Sequence, residues 1–177
     1  MTSPLNLLFV CTGNSARSIL GEALATTLSR GRLRGYSAGS HPGGKVNPYA
    51  AELCADMNYP ADNLRSKSWD EFSLPDAPVM DLIVTVCDNA AHEACPVWLG
   101  HPATAHWGLP DPAAVTGSDE DKRMAFRAIH DAMSRRVAML LAAPIEKMSD
   151  AERRVEMRRI GDTVVLDPAT EKWFPAR

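Results

Sequence analysis

Leu5-Asn6-Leu7-Leu8-Phe9-Val10 is a short, almost continuous apolar run, the pattern of a parallel strand covered on both faces. The residues that follow, Cys11-Thr12-Gly13-Asn14-Ser15-Ala16-Arg17-Ser18, are small and polar. Ile19, Leu20, Ala23, Leu24 and Leu28 then recur at helical spacing. The segment reads as strand, tight loop, helix. Later segments repeat the alternation. Leu33–Gly39 is a second strand, Asn47-Pro48 caps a helix whose buried face is Ala51, Leu53, Cys54 and Met57, and Asp81–Cys87 is a third strand. Ala103–Trp107 is a weaker strand ahead of the irregular Pro110-Asp111-Pro112 loop. Ser118 opens a long helix with the apolar stripe Phe126, Ile129, Met133, Val137, Leu140 and Leu141. A basic helix follows from Ser149, where Ser149-Asp150-Ala151-Glu152 has capping-box spacing. Strands alternating with helices predict a three-layer parallel α/β sheet.

Composition narrows the class. A chain of 177 residues, 45% hydrophobic and 23% charged, suits one core and needs no disulfide or metal to fold. Residues 1–143 are expected to form the domain around that core, and 144–177 a helical extension that is not an independent domain. No apolar run approaches the roughly 20 residues of a membrane helix, and no basic leader precedes the first strand. A membrane partner and secretion are disfavoured, leaving the cytoplasm. With a net charge of −3 there is no global positive field for nucleic acid. An anion site must therefore be local.

The first loop offers one. Ligands of open parallel sheets sit beyond the carboxyl ends of the strands, where Cys11 would lie. Thr12, Gly13, Asn14, Ser15, Ala16, Arg17 and Ser18 bring a run of backbone N–H groups to a helix start, a ring suited to a tetrahedral oxyanion. Gly13 lets the loop curl, and the Arg17 guanidinium can fork onto two oxygens of the anion. The same field would lower the Cys11 thiol, and a drop from about 8.5 to about 6 raises the thiolate fraction at neutral pH from roughly 3% to roughly 90%. Ser18 is placed to donate to that thiolate. The alternative is a buried cysteine at a strand end beside an ordinary turn.

The Cys-x5-Arg-Ser loop near the N-terminus resembles that of the low-molecular-weight protein tyrosine phosphatase superfamily, and its wording is closer to the arsenate reductase branch. The likeness runs through Tyr36–Pro42, Arg65–Trp69, Val84–Asp88 and His106–Pro112, so it covers roughly residues 5–143. It implies a four-stranded parallel sheet flanked by helices, with Cys11 as nucleophile, Arg17 and the loop amides as oxyanion clamp, and Asp111 of the Asp111-Pro112 pair as acid. Taken alone, Asp111 reads as a turn aspartate. Phosphatase chemistry needs one cysteine, whereas arsenate must gain two electrons to leave as arsenite, so another thiol must attack Cys11.

Cys87 and Cys95 supply that relay by resemblance to thioredoxin-linked members. Cys87 would release arsenite and pair with Cys11, and Cys95 would then take over the disulfide. No tightly bound cofactor is implied, only an external thiol reductant: thioredoxin, glutathione with glutaredoxin, or mycothiol. The substrate is arsenate or, in the phosphatase alternative, a phosphomonoester. Two departures stand out: seven residues separate Cys87 from Cys95 where those members have six, and Ala16 replaces a cysteine of their first loop. Ala113-Ala114 follows Asp111-Pro112 where the phosphatases place aromatics, and small residues suit a small anion. Asn14, Glu22 and Ser37 match positions that help bind potassium in some arsenate reductases, but Ser68 stands where a further acidic ligand belongs, leaving that site unassigned.

Three other readings carry less. Cys87, His92, Cys95 and His101 lack the spacing of a compact zinc site, so no metal is expected. Cys54 occupies an apolar helix position and reads as core. A redox sensor would need the thiol but not Asp111.

Overall fold

The structure, a computed structural model, describes residues 3–87, 98 and 100–174. Four strands form one parallel sheet: β1 (Leu5–Cys11), β2 (Leu33–Gly39), β3 (Leu82–Thr85) and β4 (Ala103–His106), in the order β2-β1-β3-β4. Helices α1 (Arg17–Leu28), α2 (Pro48–Asp56), α3 (Asp119–Ala142) and α4 (Asp150–Thr163) flank it. The three-layer reading holds, with the expected strands and helices in the expected order.

The reasons are local and legible. Leu7, Leu8, Phe9 and Val10 are all buried, as both faces of β1 are covered. Asn47 accepts a hydrogen bond from the Tyr49 amide with Pro48 at the first helical position, and Ser118 and Ser149 each close a full capping box, with Asp121 and Glu152 respectively. Two faces differ from expectation. In α2 the buried residues are Ala50 and Cys54, while Ala51, Leu53 and Met57 are only half-buried. Leu28, at the end of the α1 stripe, is exposed.

The segment after residue 143 joins the same core. Ile145, Met157 and Ile160 are fully buried in it, and the Trp107 indole N–H donates to the Met157 carbonyl at 2.8 Å. Arg136 lies on the buried face of α3, where it donates to Trp107 O at 2.7 Å and to Val164 O at 2.8 Å. It thereby ties the end of α4 to the chain leaving β4. That chain leads to Asp111. Removing the guanidinium strands buried carbonyls, so Arg136→Met is expected to destabilise the protein by about 2–4 kcal/mol. Urea unfolding should show this as a lower midpoint, and an unchanged midpoint would contradict the bracing role.

Candidate active site

Cys11 ends β1, and residues 12–16 lead from it into α1. The loop's carbonyls are taken up by the surrounding chain: Cys11 O accepts from Ser40 N, Thr12 O from His41 N, Gly13 O from Gly43 N and Ser15 O from Asn47 N. In a planar trans peptide the N–H points opposite the C=O, so fixing these carbonyls outward turns the following amides inward. The Asn14 amide illustrates it, donating to the Cys11 sulfur at 3.1 Å. Helix α1 begins at Arg17 with no side chain capping its N-terminus. Its first N–H groups are left without a side-chain acceptor, an arrangement that suits an oxyanion.

The loop's sharp turn falls on Asn14, whose φ is +45°, rather than on Gly13. Asparagine tolerates the left-handed region, and here its buried side chain adds two bonds: Oδ1 accepts from the Lys67 amide at 2.8 Å and Nδ2 donates to Ser18 Oγ at 2.9 Å. A side chain at Gly13 would meet only Ser15 Oγ, at 3.7 Å. The glycine that the loop requires is Gly39, where a Cβ would sit 2.5 Å from Thr12 O and 3.0 Å from Asn14 Cβ. In the sequence Gly39 is visible as the end of a strand and within the Tyr36–Pro42 likeness, with no sign of what it packs against. Its closeness to the loop follows from the pairing of Cys11 with Gly39 across β1 and β2.

Around the sulfur the predicted partners assemble. Ser18 Oγ lies 2.9 Å from Cys11 Sγ, and both residues are buried. The expected acidity is corrected: burial pushes the Cys11 thiol above its ordinary value, with Ser18, the Asn14 amide and Arg17 pulling it down against that desolvation. Arg17 donates to Leu109 O at 2.8 Å, and its other terminal nitrogen lies 3.6 Å from Asp111 Oδ1. Asp111 is nearly half exposed at the rim, 45% by side chain, and also accepts from the Ala113 amide. It is a turn aspartate that also lies beside Arg17.

Cys87 lies two residues past β3, its sulfur 3.4 Å from Thr12 Oγ1. Cys11, Cys54 and Cys87 are free thiols. Cys95, with Asp88 and His92, lies outside the described residues. Among the described residues no group of His, Cys, Asp and Glu side chains could hold a metal. Cys54 is fully buried and its thiol is pushed up to about 12 by burial and by Glu22, which makes it core rather than chemistry. The matched potassium positions do not fit a metal cation. Lys67 Nζ stands among them, 3.2 Å from Ser37 Oγ and 3.4 Å from Glu22 Oε2, so an ammonium already occupies the place.

A sequence model of the low molecular weight phosphotyrosine protein phosphatase family matches residues 6–151. The chain belongs to this family. Within it, the arsenate reductase of Halalkalibacterium halodurans is 35% identical over 129 residues, spanning 73% of this chain and 89% of that one. The crystal structure of an arsenate reductase from Archaeoglobus fulgidus superposes with a TM-score of 0.59 at 30% identity, covering 77% of this chain and 99% of that one. A low molecular weight protein tyrosine phosphatase from T. tengcongensis shares the fold, with a TM-score of 0.60 at 20% identity, over 81% of this chain and 99% of its own. The family fold and the reductase relatives agree with the resemblance read from the loop.

Two variants test this geometry. Ser18→Ala removes a donor that favours the thiolate, so the Cys11 pKa should rise. Iodoacetamide alkylation at neutral pH should then slow by about tenfold for each pH unit by which the thiol's titration moves upward. The pH profile of alkylation reads it directly, and a profile identical to wild type would deny Ser18 that part. Gly39→Ala should push the loop out of shape and cut oxyanion affinity by about tenfold or more, measured by phosphate titration.

Proposed function

We propose that the chain is an arsenate reductase, with Cys11 as nucleophile, Arg17 and the amides of residues 12–18 as oxyanion clamp, Asp111 as acid, and Cys87 followed by Cys95 as relay. One observation carries the choice over phosphatase: a second thiol, Cys87, sits at the neighbouring strand end against the residue next to Cys11. Hydrolysis of a phosphocysteine has no use for it. Phosphatase remains the second reading, because the family's shared clamp and nucleophile serve both reactions.

The chemistry balances as two thiols plus arsenate giving one disulfide, arsenite and water. Cys11 sulfur bonds to arsenic, and one arsenate oxygen departs as water with a proton from Asp111. Cys87 sulfur then bonds to Cys11 sulfur and breaks the sulfur–arsenic bond. Its electron pair stays on arsenic, which leaves as arsenite, two electrons richer. Cys95 next attacks Cys87, restoring the Cys11 thiol and leaving a Cys87–Cys95 disulfide for an external thiol reductant. Since burial holds the free Cys11 thiol up, a bound dianionic oxyanion serves as the base that takes its proton. Arg17 leans on Leu109 O and Asp111, the element bearing the acid, so occupation of the clamp and placement of the acid are coupled.

Among the described residues no helix is long and apolar enough to cross a membrane. We assign the protein to the cytoplasm, where a reducing poise keeps such thiols free. The reductant is a dithiol protein or a low-molecular-weight thiol. Fully reduced protein given arsenate should release arsenite and yield a Cys87–Cys95 peptide by mass mapping, with neither seen in a phosphate control. Cys87→Ser should lose multiple turnover by about a thousandfold or more, and full turnover in that variant would remove the relay. If arsenate produces neither product while an aryl phosphate is hydrolysed, the phosphatase reading replaces this one.

A further inference from the structure

Beneath the Cys11 loop lies an ion pair shut away from water. The side chains of Lys67 and Glu22 are each 7% exposed. Charged residues are seldom buried unless paired, and a buried pair usually gains little net stability over apolar packing. Stability alone therefore does not account for it, and its contacts point to another role.

The three N–H bonds of the ammonium meet three acceptors: Arg65 O at 3.0 Å, Ser37 Oγ at 3.2 Å and Glu22 Oε2 at 3.4 Å. Glu22 is satisfied in turn, with Oε1 accepting from the Tyr59 hydroxyl at 2.6 Å and Oε2 also accepting from Ser37. The same lysine is fixed through its backbone. Lys67 O accepts from Gly39 N at 2.9 Å, at the end of β2, and Lys67 N donates to Asn14 Oδ1 at 2.8 Å. From Asn14 the path continues through Nδ2 to Ser18 Oγ at 2.9 Å, and from Ser18 to Cys11 Sγ at 2.9 Å. Side chain and backbone of one lysine thus join α1, β2 and the nucleophile's loop.

We propose that Lys67 is a positioning residue whose ammonium acts as a tethered internal cation, holding Asn14 and Ser18 in the geometry that stabilises the Cys11 thiolate. The inference rests on the reading of Cys11 as nucleophile, but it concerns the loop rather than the fate of arsenic. It also explains why Ser68 need not be acidic: the positive charge arrives on a covalent arm and requires no further ligand. Nearby Arg65 and Glu71 form their own exposed bidentate pair, with both nitrogen–oxygen distances 2.7 Å, and leave Glu22 to Lys67.

The test reads the Cys11 thiol in oxyanion-free protein, by the pH dependence of iodoacetamide alkylation, so it is independent of arsenate turnover. Wild-type protein should titrate identically in potassium, methylammonium and tetramethylammonium chlorides at equal ionic strength. Lys67→Ala should raise the thiol pKa by about one unit, a ~tenfold loss of thiolate well below the pKa. Potassium or methylammonium should recover part of that loss, and the bulkier tetramethylammonium should not. A wild-type titration in Lys67→Ala overturns the proposal, and so does a raised thiol that no small cation lowers. If Lys67→Ala fails to fold, the double variant Glu22→Gln with Lys67→Met removes both charges at similar volume. It should also show the raised thiol, and a wild-type titration there overturns the proposal equally.

Discussion

The pairing of β1 with β3 sets everything downstream. With Phe9 opposite Val84 and Val10 opposite Thr85, β3 ends one residue short of β1, and Val86 N continues the ladder onto Val10 O. Cys11 and Cys87 consequently leave the sheet at neighbouring strand ends, with Cys87 against Thr12. A slip of one residue along that register would turn alternate side chains to opposite faces and part the two thiols. Leu109 N also bonds to Val86 O, so the chain bearing Asp111 is hung from the same strand end.

Cys11 is the focus of two opposed demands. Burial closes the thiol off from water and so disfavours its charged form, while the surrounding donors favour it. The loop answers with short donors around the sulfur, and those donors are useful only if they cannot wander. Their rigidity comes from outside the loop: outward carbonyls bonded to residues 40–47, the close approach of Gly39, and the buried Lys67–Glu22 pair. Reactivity at one sulfur is in this sense distributed over three segments of the chain.

Much of this is legible in the sequence, and the remainder has a common cause. Apolar runs mark the strands, and Asn47, Ser118 and Ser149 mark helix starts because capping is a contact between residues two or three apart. The Cys11–Ser18 spacing reveals the loop and its Ser18 partner for the same reason. Arg65–Trp69 enters the family likeness, but the part played by Lys67 escapes notice because the bond that matters, to Asn14, spans 53 positions. Arg136 is hidden likewise, a charged residue on the apolar face of α3 whose acceptors lie 28 and 29 positions away. The thiol's acidity is misread because spacing reveals donors but not the cost of burial. Gly13 draws the attention due to Asn14 because glycine is the usual bearer of a positive φ.

The family match stops at residue 151, one residue beyond the start of α4, yet the indole of Trp107 is hydrogen-bonded to the backbone of that helix and Met157 and Ile160 are fully buried. Kinship and cooperativity therefore draw different borders on this chain. What is shared with relatives is the shorter piece, while the piece whose interior is closed to water is longer. At β4 the matched segment is finished by the helix that follows it, so a border drawn at residue 151 would cut through packed interior.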